Sequence, residues 1–403
     1  MHTIQELIAL ERQRQTHSIN LIASENFVSE AILNAMGTVF TNKYAEGYPG
    51  KRWYGGCEFT DLVEQRAIDL ARELFKAQHA NVQPHSGTQS NLAAYMALIK
   101  PGDKVLAFKL EHGGHLSHGA AFNASGKFYK FVHYGVSRET GLIDEVEYTR
   151  LLKENPDVKL VVTGASSYPR AIDFSRLSAI AREHGALFMA DIAHISGLVA
   201  AGEHQSPVDV ADVVTMSTHK TIRGPRGGMI VCSSKFASKI DRAVFPGGQG
   251  GPLVHVIAAK AAMLEEALRP DFKQYQRQVV ANAKAMAKAF TEINPKRYRV
   301  LTGGTDNHMV MVDITGTGKN GIEIENLLGE QKIYVNKNFI PYDPLPVTQT
   351  SGIRVGSPLL TTLGANEQDF AKVVQLIDRA VSGENVATQA QSFMESLAQT
   401  TSR

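Results

Sequence analysis

Val213-Val214-Thr215-Met216-Ser217-Thr218-His219-Lys220-Thr221-Ile222-Arg223-Gly224-Pro225-Arg226-Gly227-Gly228 is the stretch that decides the fold. Val210 to Val214 reads as a short buried strand. Small hydroxyl residues follow, then His219 and Lys220, then a loop shaped by Gly224, Pro225, Gly227 and Gly228. A lysine at the end of a buried strand is poorly solvated. Desolvation disfavours the ammonium, lowers its pKa and frees the amine as a nucleophile toward carbonyl groups. The competing reading is a solvated surface lysine after a strand, and the rest of the chain has to choose between them.

Outward from this stretch, short apolar runs alternate with helical ones. Lys104 to Phe108, Lys159 to Thr163, Ala186 to Ala190, Val210 to Val214 and Gly228 to Cys232 read as strands, and Leu177 to Glu183 as a helix. Such alternation predicts an α/β sheet covered on both faces, with ligands at the strand ends. Near Pro270 the pattern changes. A long helix from Asp271 to about Ile293 is followed by strand-like His308 to Ile314, helix Ile322 to Gly329, strands Ile333 to Val335 and Gly352 to Val355, and a helix from Glu367 to Val381. This predicts a smaller α+β domain. The polar tail after Gly383 reads as partly loose. The segment 41–56 has almost no aliphatic residues and reads as a long irregular functional loop; Thr60 is then the expected cap of a helix.

Composition sets outer limits. A chain of 403 residues is too long for one ordinary core, so two domains are expected. Hydrophobic content of 43% and charged content of 20% suit a globular protein. A formal net charge of +2 argues against nucleic-acid binding through bulk charge. Cys57 and Cys232 are the only cysteines, which excludes a disulfide framework and points to a reducing compartment. The first residues lack the apolar core of a signal peptide, and no run approaches transmembrane length. A cytoplasmic location and no membrane partner follow as expectations.

Several short segments carry chemistry. Leu187 to Ala190 delivers Asp191 to a strand end, followed by Ile192-Ala193-His194. A buried carboxylate needs a partner. A protonated pyridine nitrogen is one, and pairing makes the ring a stronger electron sink, so Asp191 with Lys220 suits pyridoxal phosphate. Ser86-Gly87-Thr88 at a predicted helix start offers free N–H groups and hydroxyls, a plausible phosphate cradle or an ordinary cap. His112, His115 and His118 could suggest a metal, but the intervening glycines and the missing H-E-x-x-H pattern argue against one. An imidazole stacked on a flat cofactor is the better functional reading, and satisfied loop histidines the plainer one. Arg354, in Ser351-Gly352-Ile353-Arg354-Val355-Gly356, has the guanidinium fork that suits a carboxylate.

Joined in order, these segments resemble the serine hydroxymethyltransferases. The matching stretches are LIASEN (21–26), TNKYAEGYPGKRWYGG (41–56), NVQPHSGTQSN (81–91), HGGHLSHG (112–119), DIAH (191–194) and STHKTIRGPRGG (217–228). FPGGQGGPLVHVIAAK (245–260), GGTDNH (303–308), VNKN (335–338) and SGIRVG (351–356) complete the set. The resemblance implies the aspartate-aminotransferase-like fold of pyridoxal-phosphate enzymes. That fold has an N-terminal arm (1–45), a large domain with a mostly parallel seven-stranded sheet (46–270) and a small C-terminal α+β domain (271–403). It implies transfer of the serine hydroxymethyl carbon to tetrahydrofolate, giving glycine and methylenetetrahydrofolate.

The resemblance also implies roles. Lys220 would hold the cofactor covalently, Asp191 would pair with its pyridine nitrogen, His115 would stack on its ring, and His194 would lie near its phenolic oxygen. Ser86, Gly87, Thr88 and His219 would cradle the phosphate, with Tyr44 and Gly251 of a neighbouring subunit, and Ser166 would contact the cofactor. Arg354 and Ser24 would bind the substrate carboxylate. Glu46 and Tyr54, from the other subunit, would face the hydroxymethyl group, with Glu46 managing protons. Folate contacts would fall on Leu110, Gly114, His115, Leu116 and Asn336. The implied assembly is a homodimer with shared active sites, or a tetramer of such dimers.

Departures from the family pattern are few. Glu111 stands where a small residue is common, Met216 and Ser217 replace threonines, and Trp53 replaces a tyrosine. Pro346-Val347-Thr348 occupies a position where the family often has Ser-Pro-Phe, a segment that touches the folate. The C-terminal region is somewhat short for the family. The 346–348 segment keeps open a second reading, a folate-independent aldolase or transaldolase acting on β-hydroxy amino acids. A non-catalytic, RNA-binding relative would lack Lys220 or Arg354, and both are present.

Overall fold

The apolar runs on either side of Lys220 assemble into a seven-stranded sheet. In the computed structural model, which describes residues 2–401, its strands are β1 (His79–Asn81), β2 (Lys104–Phe108), β3 (Lys130–Tyr134), β4 (Val158–Gly164), β5 (Leu187–Asp191), β6 (Val213–Ser217) and β7 (Gly228–Cys232). Their order across the sheet is β1-β7-β6-β5-β4-β2-β3. The neighbours from β3 to β6 pair in parallel, and β7 runs antiparallel to both β6 and β1. The reversal has a simple cause. The loop 218–227 is too short to hold a crossover helix, so β7 must return alongside β6 as its antiparallel neighbour.

Both faces of the sheet are covered, which is why its strands are continuously apolar. On one face Val105, Ala107, Leu160, Val162, Met189, Val213 and Ile230 pack with Ala94 and Tyr95 of the helix Gly87–Leu98 and with Phe236 and Ile240 of the helix Ser234–Arg242. The alternate residues, among them Leu106, Phe108, Val161, Phe188, Val214 and Met229, are just as fully buried. Burying each such side chain is worth roughly 1.5–3 kcal/mol.

β6 begins three residues later than the sequence predicts. Val210 and Ala211 donate their N–H groups to the Pro207 carbonyl in a turn, and Asp212 is tied to Phe188 from both its N–H and its carboxylate. The strand therefore runs on through Thr215 and Ser217, whose hydroxyls are buried. Three other expectations are corrected. The helix expected to start at Thr60 begins at Glu58 after Cys57. The 41–56 segment is partly ordered, with a small hairpin pairing Gly47–Tyr48 with Lys51–Arg52. The tail forms the helix Ala387–Thr401, anchored by buried Ala390, Met394 and Leu397.

Contacts gather the chain into two compact units. Residues 26–166 and 171–276 carry the large sheet. Residues 1–25, 167–170 and 277–403 carry a four-stranded antiparallel sheet. Its strands are β8 (Arg299–Val300), β9 (Met309–Asp313), β10 (Asn336–Asn338) and β11 (Gly352–Gly356), in the order β8-β9-β11-β10. The central strand β11 holds Arg354, in register with Met311 on one side and Asn336 on the other. The N-terminal segment belongs to this unit: Ile19–Asn20 pairs in parallel with Ile333–Tyr334, and Gly356 donates its N–H to the Leu21 carbonyl at 2.7 Å. A Cβ at Gly356 would lie 2.5 Å from the Cα of Ala23, so only glycine permits this approach, which seats the segment carrying Ser24 at the end of β11. No helix among the described residues is long and apolar enough to cross a membrane.

Candidate active site

The ends of β5 and β6 bring the site together. Asp191 closes β5, is 7% exposed and pairs in register with Thr215. Its Oδ2 accepts from Asn91 Nδ2 at 2.8 Å and lies 3.0 Å from His118 Nε2; its Oδ1 accepts the Ala193 N–H at 2.9 Å. Thr215 donates to Asn91 Oδ1 at 2.6 Å, which orients the amide so that its NH2 faces the carboxylate. Burial works against the charge on Asp191. The hydrogen bond and charge of His118, the charge of His115 and the hydrogen bond from Asn91 outweigh it and hold the pKa well below the usual carboxylate range. Asp191 is therefore an anion, and a second lone pair on Oδ1 is open to one more donor.

Lys220 lies three residues past the end of β6 and is half-buried rather than sealed. Its Nζ donates to Ser217 Oγ at 3.0 Å, and Ser217 Oγ donates to the Ala193 carbonyl at 3.1 Å. Thr221 Oγ1 donates to the carbonyl of buried His194 at 2.8 Å. The 191–194 turn and the 217–221 loop are thus fastened to each other at two points. Asn26 holds the Lys220 carbonyl from a third direction, at 3.1 Å.

Ser86 caps the helix Gly87–Leu98, accepting the Gln89 N–H. Helix geometry leaves the N–H groups of Gly87 and Thr88 to partners outside the helix. A Cβ on Gly87 would meet Ser217 Cβ at 3.4 Å, which puts this helix start beside the lysine loop. Two buried ring nitrogens in these segments, His219 Nδ1 and His85 Nε2, have no hydrogen-bond partner in the protein.

The His112–His118 segment does not form a metal cluster. His112 Nδ1 accepts the Val136 N–H at 3.1 Å, His118 turns to Asp191, and His115 Nδ1 lies 2.7 Å from Ser117 Oγ. Among the described residues no three His, Cys, Asp or Glu side chains are placed to hold a metal ion. The segment is held from β4: Ser166 Oγ donates to the Gly114 carbonyl at 3.1 Å and Ser166 N–H to the Gly113 carbonyl at 2.7 Å. Leu110 opens this loop in a short 3-10 turn, and Leu116 is 43% exposed.

A second group gathers on the 41–56 segment. Tyr44 OH donates to Glu46 Oε1 at 3.2 Å, and the Tyr44 and Tyr54 rings meet edge to face at 4.9 Å. A Cβ on Gly251 would lie 3.2 Å from Tyr44 Cζ. In the other compact unit, Arg354 is buried with its Nε 3.3 Å from Asn336 Oδ1, and burial pushes its pKa down to about 10.

A family description, serine hydroxymethyltransferase, matches residues 2–377 of the 403. The chain belongs to the serine hydroxymethyltransferase family. It is a pyridoxal-phosphate-dependent transferase of one-carbon metabolism, with tetrahydrofolate as co-substrate, and its fold is that of the family. The residues present fit the cofactor: an anionic carboxylate with a free lone pair, a lysine just past the end of an inner strand, a helix start with open N–H groups and unpartnered imidazole nitrogens beside it. Nothing in the match favours the folate-independent aldolase.

Sequence reasoning missed the residues that support Asp191. In the sequence His118 is one of three loop histidines and Asn91 the last residue of a motif, and neither context points to a carboxylate. Asn91 sits four residues after Gly87, one helical turn on, so it shares the face that carries the phosphate cradle. That spacing is the signal that could have found it.

Two histidines, buried His112 and half-buried His219, should make the fold acid-sensitive. Burial, with lesser help from the Lys109 charge, holds His112 at about 4; burial, then Lys220 and Arg226, holds His219 at about 3. Both are neutral at pH 7. In the unfolded chain each protonates near 6.5. Their contribution to stability is therefore complete above about pH 6.5 and shrinks as the pH falls toward the folded values. His112→Gln retains an acceptor for Val136 and removes the titration. We expect the urea-unfolding free energy of the variant to fall less steeply than wild type between pH 6.5 and 4.5, by about 2 kcal/mol over that interval. Parallel curves for the two proteins would reject this account.

Proposed function

We propose that catalysis runs on the residues gathered at the ends of β5 and β6, completed by a second copy of the chain. The observation that carries this reading is Asp191: a buried anion held by His118, Asn91 and the Ala193 N–H, with one lone pair left over. That lone pair suits the protonated pyridine nitrogen, and the charge keeps the proton there. When bound, the cofactor supplies the electron sink for the charge left on Cα as the Cα–Cβ bond of serine breaks. Lys220 is the attachment point, and Ser217 orients its amine. Ser86, Gly87, Thr88 and His219 would receive the phosphate, His115 would lie over the ring and His194 would lie near the phenolic oxygen, while Ser166 holds the 113–115 loop in place.

Arg354, with Ser24, fixes the substrate carboxylate through its two-pronged fork. Leu110, Gly114, His115, Leu116 and Asn336 form the folate side. Glu46 takes and returns the proton at the serine hydroxyl oxygen, and Tyr54 borders it. The charge of Glu46, and the hydrogen bond to it, raise the pKa of Tyr44, so the phenol stays protonated and donates to Glu46.

Tyr44, Glu46, Tyr54 and Gly251 serve the neighbouring subunit in this reading. Around them Val39, Trp53, Phe59 and Leu62 are 66–79% exposed, apolar surface that a second copy would cover. A homodimer with shared sites accounts for that surface. The division into an arm (1–45), a cofactor domain (46–270) and a small domain (271–403), and a cytoplasmic location, belong to the same proposal.

Glu46→Gln tests it. The change is nearly isosteric, so fold, cofactor and the absorbance change on binding serine should be retained. Folate-dependent serine cleavage should fall about 100-fold or more, because the amide cannot exchange protons. Slow folate-free cleavage of bulkier β-hydroxy amino acids should survive. A variant that cleaves serine with folate at the wild-type rate would remove Glu46 from the mechanism.

A further inference from the structure

Between β1 and the helix Gly87–Leu98 the chain crosses the interior at residues 82–85, outside any sheet ladder or helix; the Gly228 N–H reaches the Pro84 carbonyl at 3.0 Å and Asn81 Oδ1 accepts the Gln83 N–H at 3.1 Å. Val82, Gln83 and Pro84 are buried, and a buried backbone carbonyl needs a donor. Lys260 meets that need. It is 1% exposed, and its Nζ donates to the carbonyls of Val82 at 2.6 Å, Pro84 at 3.0 Å and Gly228 at 2.7 Å. Gln249 adds two more bonds, donating to the Gln83 carbonyl at 3.1 Å and accepting the His85 N–H at 3.1 Å.

Three carbonyls around one nitrogen demand three N–H bonds. Only the ammonium has three; the neutral amine would turn a lone pair toward one oxygen. All of its hydrogen-bond partners are carbonyls and none is a carboxylate, so the site holds a buried positive charge that is not neutralised at contact. Burying a charge costs several kcal/mol, and a neutral donor could satisfy carbonyls for less. A cation here makes sense if its field is used. Two residues past Pro84 lies the helix start at Ser86-Gly87-Thr88.

We infer that Lys260 is a positioning residue for the cofactor phosphate: its ammonium ties the 82–85 segment to the start of β7 behind the lysine loop, and its charge favours an anion at the helix start. This rests on the phosphate cradle assigned above. Burial pushes the Lys260 pKa down to about 7, with the Glu64 carboxylate as the opposing influence, and it is the three carbonyl acceptors that favour the ammonium.

The test compares pyridoxal phosphate with pyridoxal, which differs only in lacking the phosphate. Both are titrated into apoprotein and followed by absorbance, for wild type and for Lys260→Met, which fills the same space without donors or charge. A second variant, Gly227→Ala, keeps Lys260 in the sequence but sets a Cβ 2.6 Å from its Cε and 3.1 Å from both its Nζ and Thr218 Oγ1, forcing the ammonium to move. In both variants the preference for pyridoxal phosphate over pyridoxal should drop by about tenfold or more, with pyridoxal affinity little changed. Equal weakening of both ligands, or an unchanged preference in a folded variant, would overturn the inference and reduce Lys260 to a packing role. If Lys260→Met does not fold, Gly227→Ala decides. Failure of the underlying cradle would be visible elsewhere: wild type itself would then show no preference for the phosphorylated ligand.

Discussion

Lys220→Ala should abolish turnover, lowering serine cleavage by roughly three orders of magnitude or more, while the fold and some noncovalent cofactor binding persist. The expectation comes from the surroundings of the amine. Nζ donates to Ser217, Ser217 donates to the Ala193 carbonyl, and the Ala193 N–H donates to Asp191, so the amine and the buried anion are both fastened to the same residue of the 191–194 turn. Alanine removes the nucleophile and disturbs none of the other links. Borohydride reduction of the wild-type holoenzyme should fix the cofactor on the peptide that contains Lys220, and mass spectrometry locates it. Label on another lysine would displace Lys220 from its role. Lys260 is the sharpest control, because it too is buried, but its nitrogen is consumed by three carbonyls and it should stay unlabelled.

The second large effect falls on Arg354. Removing one partner of a buried, charge-assisted, two-pronged pair costs roughly 2–5 kcal/mol, so Arg354→Ala should weaken serine and glycine binding by about 30-fold or more, with cofactor retained. Arg354→Lys should recover little, because the fork is lost. Stability should move differently. Burial already presses the guanidinium down to about 10, so the charge is a burden on the fold before substrate arrives. Arg354→Met, which keeps the bulk on β11, should therefore leave the melting temperature of the apoprotein unchanged or raised while serine binding collapses. Unchanged serine affinity in the alanine variant, measured by absorbance titration, would reject the carboxylate role. A large loss of apoprotein stability in the methionine variant would show that the arginine serves the sheet instead.

The strands around Lys220 were legible because buried parallel strands are continuous apolar runs. Lys104 to Phe108 and Gly228 to Cys232 match the observed bounds residue for residue. β6 was misplaced because its apolar run overlaps a turn, and its true core positions, Thr215 and Ser217, are hydroxyl residues that read as loop. The tail helix was missed because its few buried residues are spread through a polar sequence, and only packing shows which of them matter.

From the sequence alone came the alternating α/β pattern, the lysine after a strand, the carboxylate at a strand end and the ordered set of motifs that leads to the family. These are properties of local runs and spacings, and they survive without coordinates. What only the tertiary structure decided is how those groups are held. Asn91 and His118 reach Asp191 from 100 and 73 residues away, and Lys260 closes on Val82 from 178. No local pattern marks such pairs, because a hydrogen bond between distant segments depends on where the sheet places their backbones, not on the residues beside them.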